Sequence, residues 1–146
     1  MPTEQTCASD DPATRICRTV IHLRNALLNK LDDALAECDL TAAQYGVLVT
    51  LSDLNQATST QLCDALAYDK GAMSRMLRRL ECKALVTRVL QSDKRSQMIA
   101  LTPSGQTRYE KACGCVSQVY QQSLQDVNES DMKVVENVLT NCLKQL

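Results

Sequence analysis

The hydrophobic positions of this chain recur with the period of an α-helix over most of its length. Between Ala13 and Cys38 they fall every three or four residues, at Ile16, Val20, Leu23, Leu27, Leu31 and Leu35. This spacing places the apolar side chains on one face and predicts a long amphipathic helix. Residues 1–12 are mostly polar, and we expect a mobile N-terminus there.

Capping signals divide the middle of the chain into shorter helices. The segments TAAQ at 41–44 and TSTQ at 58–61 both have the form of a capping box, in which the Thr and Gln side chains bind backbone N–H groups. They predict the starts of a second helix and of a short third helix. Asp69 is predicted to cap a fourth helix, which ends near Lys83.

After the fourth helix the pattern becomes typical of strands. LVTRVL at 85–90 and MIALT at 98–102 flank the polar loop QSDKRSQ, and the three segments predict a β-hairpin. Thr102 followed by Pro103 predicts a new helix start, and NESD at 128–131 predicts the start of a last helix. The expected fold is therefore mainly α with a small β-hairpin.

The composition supports a helical protein that stays in the cytoplasm. The chain has 146 residues, no Phe or Trp, and only 4 Gly and 3 Pro. It shows no secretory signal and no apolar run near the ~20 residues of a membrane span, so we expect a cytoplasmic protein without a membrane partner. The 8 cysteines include no CxxC pair. We expect them to be reduced thiols, with no metal site or other cofactor.

Positive charge is concentrated in one part of the chain. Residues 68–95 contain eight basic and three acidic side chains, whereas the remaining residues contain eight basic and fourteen acidic ones. The segment therefore carries +5 and the remainder −6, although the whole chain is nearly neutral. A local excess of this kind is the electrostatic pattern of a nucleic-acid-binding surface.

The fourth helix separates its apolar and cationic side chains. Its apolar positions fall on one face, at Met73, Met76, Leu77, Leu80 and Ala84. A short helix, a tight turn and then such a helix form the helix-turn-helix plan, whose second helix enters the major groove of DNA. Arginine there pairs with guanine, and Ser and Lys reach phosphates or base edges. The predicted DNA-binding residues on this helix are Lys70, Ser74, Arg75, Arg78 and Arg79.

The tip of the predicted hairpin extends the same surface. It carries Lys94 and Arg95, which a hairpin beside the recognition helix would bring to the DNA backbone or into the minor groove. A solvated helix face next to a polar turn would also explain these charges one residue at a time. The combination of a capped short helix, a turn, a cationic helix and a basic hairpin tip favours DNA binding.

The order of these motifs resembles the MarR family of bacterial winged helix-turn-helix repressors over almost the whole chain. The segments that carry the resemblance are TAAQYGVL, QLCDAL, DKGAMSRMLRRLECKALVTR and SDKRSQMIALTPSG. The resemblance implies a single MarR-type domain over residues 1–146, with a winged helix-turn-helix unit at 41–101 and dimerisation helices at 13–38 and 103–146. It implies an obligate homodimer on an inverted-repeat operator, released by a small aromatic or phenolic ligand or by thiol oxidation.

The resemblance also assigns roles to individual residues. Ser74, Arg75 and Arg78 would face the major groove and Arg95 the minor groove, while Asp93 would order the wing through an ion pair. The chain departs from the family at Ala84, where the family often has Gly. Alanine tolerates a left-handed C-terminal conformation poorly, so we expect the recognition helix to end differently here.

Two kinds of effector remain open. Arg15, Arg18 and His22 form one basic stripe on the first helix, where they would hold a carboxylate, and Tyr45 would lie at the same family pocket. These cations would equally well be solvated or paired with acidic residues of a second subunit. The other input is oxidation at Cys82, which adjoins the cations of the fourth helix.

Two other classes of function have less support in the sequence. A thiol enzyme would need a recognisable nucleophile motif, and no cysteine lies in one. The single histidine, His22, which would have to act as the base, lies within the first helix. We therefore expect no enzymatic activity and no catalytic residues. A pure protein-interaction module would leave the cationic helix without a role.

Overall fold

The structure is a computed structural model that describes residues 11–90 and 97–146. Its elements in chain order are α1 (Pro12–Leu35), a 3-10 turn (Ala36–Cys38), α2 (Ala42–Leu54), β1 (Gln56–Thr58), α3 (Ser59–Leu66), α4 (Lys70–Cys82), β2 (Val86–Leu90), β3 (Gln97–Leu101), α5 (Pro103–Ser123) and α6 (Glu129–Gln145). Most of the predicted mobile N-terminus and the tip of the predicted hairpin lie outside the described residues.

The helix starts follow from local capping chemistry, as predicted. Thr41, Thr58, Asp69, Thr102 and Asn128 each accept a hydrogen bond from the backbone N–H three residues further on. Both predicted capping boxes are complete, since the paired Gln side chain also accepts the N-cap N–H. Each such cap contributes about 1 kcal/mol to helix stability.

The sheet has one strand more than the sequence predicted. The three strands are antiparallel in the order β1-β3-β2, and β1 pairs with β3 by placing Ala57 opposite Ile99. Both of these side chains are fully buried. Strand β1 has only three residues directly before the Thr58 cap, which is too short to show an alternating pattern.

The core is aliphatic and joins all elements except α6. Its largest fully buried side chains are Leu35, Val47, Leu48, Leu51, Leu62, Met73, Leu77, Leu80, Leu85 and Ile99. The predicted apolar face of α1 is divided along its length: Leu31 and Leu35 are buried, whereas Ile16, Val20 and Leu23 are exposed. No residue of α6 is buried. Within the described ranges, no helix combines the length and apolar character needed to cross a bilayer.

The end of α4 corrects our expectation for Ala84. This residue adopts the left-handed conformation, with φ of 58°, despite its side chain. The Ala84 N–H donates to the Glu81 carbonyl at 2.9 Å, and the Leu85 N–H donates to the Leu80 carbonyl at 3.0 Å. This is the complete Schellman pattern of a helix C-terminus. The helix therefore ends as it would with glycine, and alanine bears the conformational cost.

The start of α5 holds this helix end in place. The Thr102 hydroxyl donates to the Ala84 carbonyl at 2.6 Å, and the Thr102 N–H donates to the Leu85 carbonyl at 3.1 Å. A Cβ atom on Gly105 would overlap the same Leu85 carbonyl group. The first turn of α5 therefore lies against the backbone that joins α4 to β2, and this close approach requires glycine.

We predict that Gly105→Ala lowers the free energy of unfolding by about 1–3 kcal/mol, because the new methyl group must displace the Leu85 backbone. Gly114→Ala, on the same helix, is the control. A Cβ at Gly114 meets no atom within 4 Å. We expect that change to raise stability by about 0.5–1 kcal/mol. Urea unfolding of both variants measures the difference, and equal midpoints would contradict the close approach.

We predict that Ala84→Gly raises the free energy of unfolding by about 1 kcal/mol, since glycine adopts a positive φ without the steric cost of a Cβ atom. The matched change Ala26→Gly lies inside α1 and should lower stability by about 0.5–1 kcal/mol. Thermal and urea unfolding test both signs. A destabilised Ala84→Gly protein would show that the helix ends in another way.

Candidate nucleic-acid interface

Helix α4 is buried on one face and exposed on the other. Met73, Leu77 and Leu80 are at most 1% exposed, and Met76 is half-buried. The predicted DNA-binding side chains of this helix (Lys70, Ser74, Arg75, Arg78 and Arg79) are all exposed. Asp69 caps the helix start through the Ala72 N–H. The predicted division into an apolar face and a cationic face is confirmed within α4, whereas Ala84, predicted on the apolar face, lies beyond the helix and is exposed.

The basic residues of this region divide into two groups. Among residues 11–90 and 97–146, Lys70, Arg75, Arg78 and Arg79 take part in no ion pair. By contrast, Arg88 on β2 binds the Glu81 carboxylate through Nε at 2.8 Å and donates to Gln97 Oε1 at 2.9 Å. Arg88 therefore attaches the base of the hairpin to α4, and the four unpaired cations remain available to an anionic partner.

Lys83 is the other basic residue with a structural role. Its Nζ donates to the Asp39 carbonyl at 2.6 Å and to Gln44 Oε1 at 3.2 Å, and lies 3.4 Å from Asp39 Oδ1. Arg108 on α5 donates to the Cys38 carbonyl at 2.8 Å and lies 4.0 Å from Asp39 Oδ2. We call Asp39, Gln44, Lys83 and Arg108 the Asp39 junction.

The Asp39 junction connects the recognition helix to the rest of the protein. It joins the residue after α4, the turn after α1, the start of α2 and the first third of α5. Asp39 has a positive φ of 53°, and Lys83 contacts both its carbonyl and its carboxylate, while Arg108 approaches the carboxylate alone. This junction was not predicted from the sequence, because it joins three segments that are far apart along the chain and only Gln44 belongs to a local motif.

The wing is described only at its base. Strands β2 and β3 pair from Val86 with Leu101 to Leu90 with Gln97. The predicted tip residues Asp93, Lys94 and Arg95 lie outside the described residues, so their roles stay predictions. Leu90, the last described residue of β2, is 85% exposed, so this end of the strand is open to solvent.

A cleft lies between the start of α2 and the exposed side of α4. It has a volume of about 230 Å³ and is lined by Thr41, Ala43, Gln44, Ala72, Arg75, Met76 and Arg79. Two guanidinium groups therefore adjoin one small cavity, a geometry that suits a carboxylate or phosphate. Spacing within α4 predicts that Arg75 and Arg79 lie one turn apart, but the contribution of α2 required the tertiary structure.

The four predicted ligand-binding residues lie in two different places. Arg15, Arg18 and His22 are exposed on the N-terminal half of α1. Arg15 borders an otherwise mostly apolar groove of about 380 Å³ between α1 and α6. Tyr45 is half-buried against α5, where its hydroxyl is 3.6 Å from Cys113 Sγ. It is not among the residues that line the groove.

The surroundings of Tyr45 keep its phenol neutral. Its ring stacks on Tyr109, with 6.0 Å between the ring centres and 23° between the planes. Burial raises the pKa of Tyr45, and the contact with Cys113 raises it further. The pKa of Tyr109 is raised as well, first by a hydrogen bond with the Cys113 thiol and then by burial. This cluster is a packed contact between α2 and α5.

The candidate redox residue Cys82 is the last residue of α4, and its side chain is exposed. Of the cations that adjoin it in sequence, Lys83 is bound within the Asp39 junction, whereas Arg78 and Arg79 are exposed. Any modification of this thiol would therefore lie at the C-terminal end of α4.

We predict that Lys83→Met lowers the free energy of unfolding by about 1–2 kcal/mol, because the Asp39 carbonyl and the Gln44 amide lose a charged donor. Lys70→Met removes the same charge from an exposed position at the start of α4 and should change stability by less than about 0.5 kcal/mol. Urea unfolding distinguishes the two variants. Equal losses would show that Lys83 has no structural role.

Comparisons with known proteins agree with this architecture. A family model described as MarR family matches residues 40–96. The chain is 31% identical over 134 residues to the multiple antibiotic resistance protein MarR of Escherichia coli (strain K12), covering 90% of this chain and 91% of that protein.

Solved structures of similar fold cover nearly the whole chain. A cysteine-to-serine mutant of MarR from E. coli, complexed with operator DNA, matches with a TM-score of 0.83 and 27% identity over 94% of this chain and 98% of that chain. NadR in complex with 4-hydroxyphenylacetate matches with a TM-score of 0.75 and 24% identity over 97% of each chain. At this lower identity, the second match shows the fold alone.

Proposed function

The chain belongs to the MarR family of winged helix-turn-helix transcriptional regulators, and we propose that it represses transcription as a homodimer bound to a pseudo-palindromic operator. The observation that carries the proposal is the exposed face of α4. Its Lys70, Arg75, Arg78 and Arg79 form no ion pair within the described residues, while Met73, Leu77 and Leu80 on the opposite face are buried. An unpaired cationic ridge on a rigid helix fits the anionic major groove.

We assign the contacts by their position on this ridge. Arg75 and Arg78 lie at its centre, where a guanidinium group can bind the O6 and N7 atoms of guanine, with Ser74 beside them. Lys70 and Arg79 lie nearer the ends and would bind phosphates. Lys94 and Arg95 on the wing would reach the minor groove, with Asp93 ordering the loop. The similar E. coli protein has been solved with operator DNA, which supports this mode of binding.

Dimerisation would cover the apolar surface that one protomer exposes. Ile16, Val20 and Leu23 on α1 are 57, 41 and 50% exposed, and Val134 and Val138 on α6 are 58 and 50% exposed. Apolar patches of this kind mark interaction sites. Residues 13–38 and 103–146 would supply this interface. One recognition helix reads few base pairs, and each mismatch costs only about 1–3 kcal/mol, so two copies one helical turn apart are needed for specificity.

We propose that a small aromatic carboxylate or phenol releases the repressor from its operator. The stripe of Arg15, Arg18 and His22 would hold the carboxylate beside the apolar α1/α6 groove. Tyr45 packs on α5 and does not line this groove, so it would contact a ligand only at a separate site. The cleft beside Arg75 and Arg79 is a second candidate site, and a ligand there would contact α4 directly. In either case the effector would favour a spacing of the recognition helices that does not fit the operator.

Thiol oxidation at Cys82 is the alternative input. This cysteine is exposed at the end of α4. A bulky or charged oxidation product there would disturb the approach of the recognition helix to DNA, so Cys82→Ser should remove such a response. The two inputs differ in a simple way, because only the oxidative one is reversed by a reductant.

We predict that Arg75→Ala and Arg78→Ala each weaken binding to the operator about ten- to a hundred-fold, because each removes a base contact worth about 1–3 kcal/mol. The probe is a DNA duplex that the wild-type protein selects from a random-sequence library. Fluorescence anisotropy between 50 and 200 mM salt, a range over which DNA-binding proteins lose much of their affinity, gives the affinity and its salt dependence.

The control for these variants is Arg24→Ala, which removes the same charge from an exposed position on α1. Its affinity should equal that of the wild type. Wild-type affinity in the Arg75→Ala and Arg78→Ala proteins, or binding without a steep salt dependence, would contradict the proposed interface.

A further inference from the structure

Two cysteines that are far apart in the sequence meet between the turn after α1 and helix α5. Cys38 and Cys115 are 77 positions apart, and their Sγ atoms are separated by 4.0 Å. A disulfide needs an S–S distance of about 2.05 Å. The gap is therefore about 2 Å, and closing it draws the turn that carries Cys38 toward α5.

This arrangement distinguishes the pair from the other thiols. Cys113 is only two residues from Cys115, but it faces the Tyr45 hydroxyl instead. Cys17, Cys82 and Cys142 are exposed, on α1, α4 and α6. In the part of the chain that the structure describes, Cys38 and Cys115 are the two thiols in direct contact.

The pair is connected to the recognition helix through the Asp39 junction. The carbonyl group of Cys38 accepts the hydrogen bond from Arg108. The next residue, Asp39, accepts the hydrogen bond from Lys83, which caps the end of α4. A displacement of Cys38 toward α5 must therefore move the backbone group that binds the C-terminal end of the recognition helix.

We propose that Cys38 and Cys115 form a redox-active dithiol, which a hydroperoxide oxidises to an intramolecular disulfide that weakens operator binding. The effect on DNA rests on the function proposed above, whereas formation of the disulfide does not. This site is separate from Cys82, which lies at the exposed end of α4.

The reaction proceeds in two balanced steps. The sulfur of Cys115 attacks the terminal oxygen of the hydroperoxide, so that an S–O bond forms while the O–O bond breaks. The thiol proton passes to the departing alkoxide, and the products are a sulfenic acid on Cys115 and an alcohol, or water when the oxidant is hydrogen peroxide. The Cys38 sulfur then attacks the sulfenic sulfur, forms the S–S bond and releases water. In sum, two thiols are oxidised to a disulfide, and one hydroperoxide is reduced to an alcohol and water.

Burial determines the order of the two thiols. Cys38 is only 3% exposed, and burial raises its pKa, with the contact to Cys115 acting in the same direction. Its thiol therefore ionises less readily and reacts second. Cys115 is half-buried and is the thiol that an oxidant reaches first. The disulfide would then be shielded, and reduction should be slow without a small reductant such as dithiothreitol.

The test begins with the reduced full-length protein and hydrogen peroxide. Oxidation should remove a pair of hydrogen atoms from the intact mass of the protomer, and peptide mapping should identify the Cys38–Cys115 link. The affinity for the selected duplex should fall at least ten-fold and recover with dithiothreitol. Amide hydrogen exchange at residues 83–85 should increase, because the Asp39 junction is displaced.

Matched serine variants separate this site from the other thiols. Cys38→Ser and Cys115→Ser should form no internal link and should keep their affinity for the duplex after oxidation. Cys115→Ser is included because it avoids a change at a fully buried position. Cys113→Ser and Cys82→Ser should form the Cys38–Cys115 link as the wild type does, so that the link is independent of any oxidation at Cys82. The proposal is wrong if the link maps elsewhere, or if it forms without a change in either amide exchange or affinity. If the reduced protein binds no duplex, the proposed function is wrong. The intact mass and the amide exchange would still show whether the disulfide forms and displaces the Asp39 junction.

Discussion

The one-sided burial of α4 is the constraint on which the rest of this structure depends. Met73, Leu77 and Leu80 fix the rotation of the helix about its axis, because moving any of them to the surface would expose a large apolar side chain. The same rotation leaves Arg75 and Arg78 in water. Any rotation that buried them would leave guanidinium groups unpaired inside the protein, which is strongly unfavourable. Both ends of the helix are held as well, by the Asp69 cap at its start and by Lys83 and Ala84 at its end.

Helix α5 connects the end of α4 to the turn after α1. Gly105, Arg108, Ala112 and Cys115 follow one another at intervals of three and four residues and share one face of the helix. Along that face α5 contacts in turn the Leu85 backbone, the Asp39 junction and Cys38. A shift of α5 against α1 must therefore alter contacts near the end of the recognition helix. This arrangement would connect the proposed effector and redox sites to the cationic face of α4.

The features that local chemistry determines were predicted from the sequence. Capping residues located five helix starts, and periodicity alone identified the buried face of α4. The features that depend on long-range contacts were not predicted, notably β1, the Asp39 junction and the Cys38–Cys115 contact. Periodicity also identified the apolar face of α1, but it did not show that only the C-terminal part of this face is buried in the core. The expectation for Ala84 was wrong because the Thr102 contacts hold that residue in the left-handed conformation.

Protection of guanine N7 from methylation by dimethyl sulfate tests the central claim most directly, because N7 lies in the major groove. With the selected duplex, our account predicts two protected guanine clusters about 10–10.5 base pairs apart, one for each recognition helix of a dimer. Loss of one arginine at the centre of α4 should remove protection at the same position in both half-sites. Unprotected guanines throughout a tightly bound duplex would show that the cationic face of α4 does not enter the major groove.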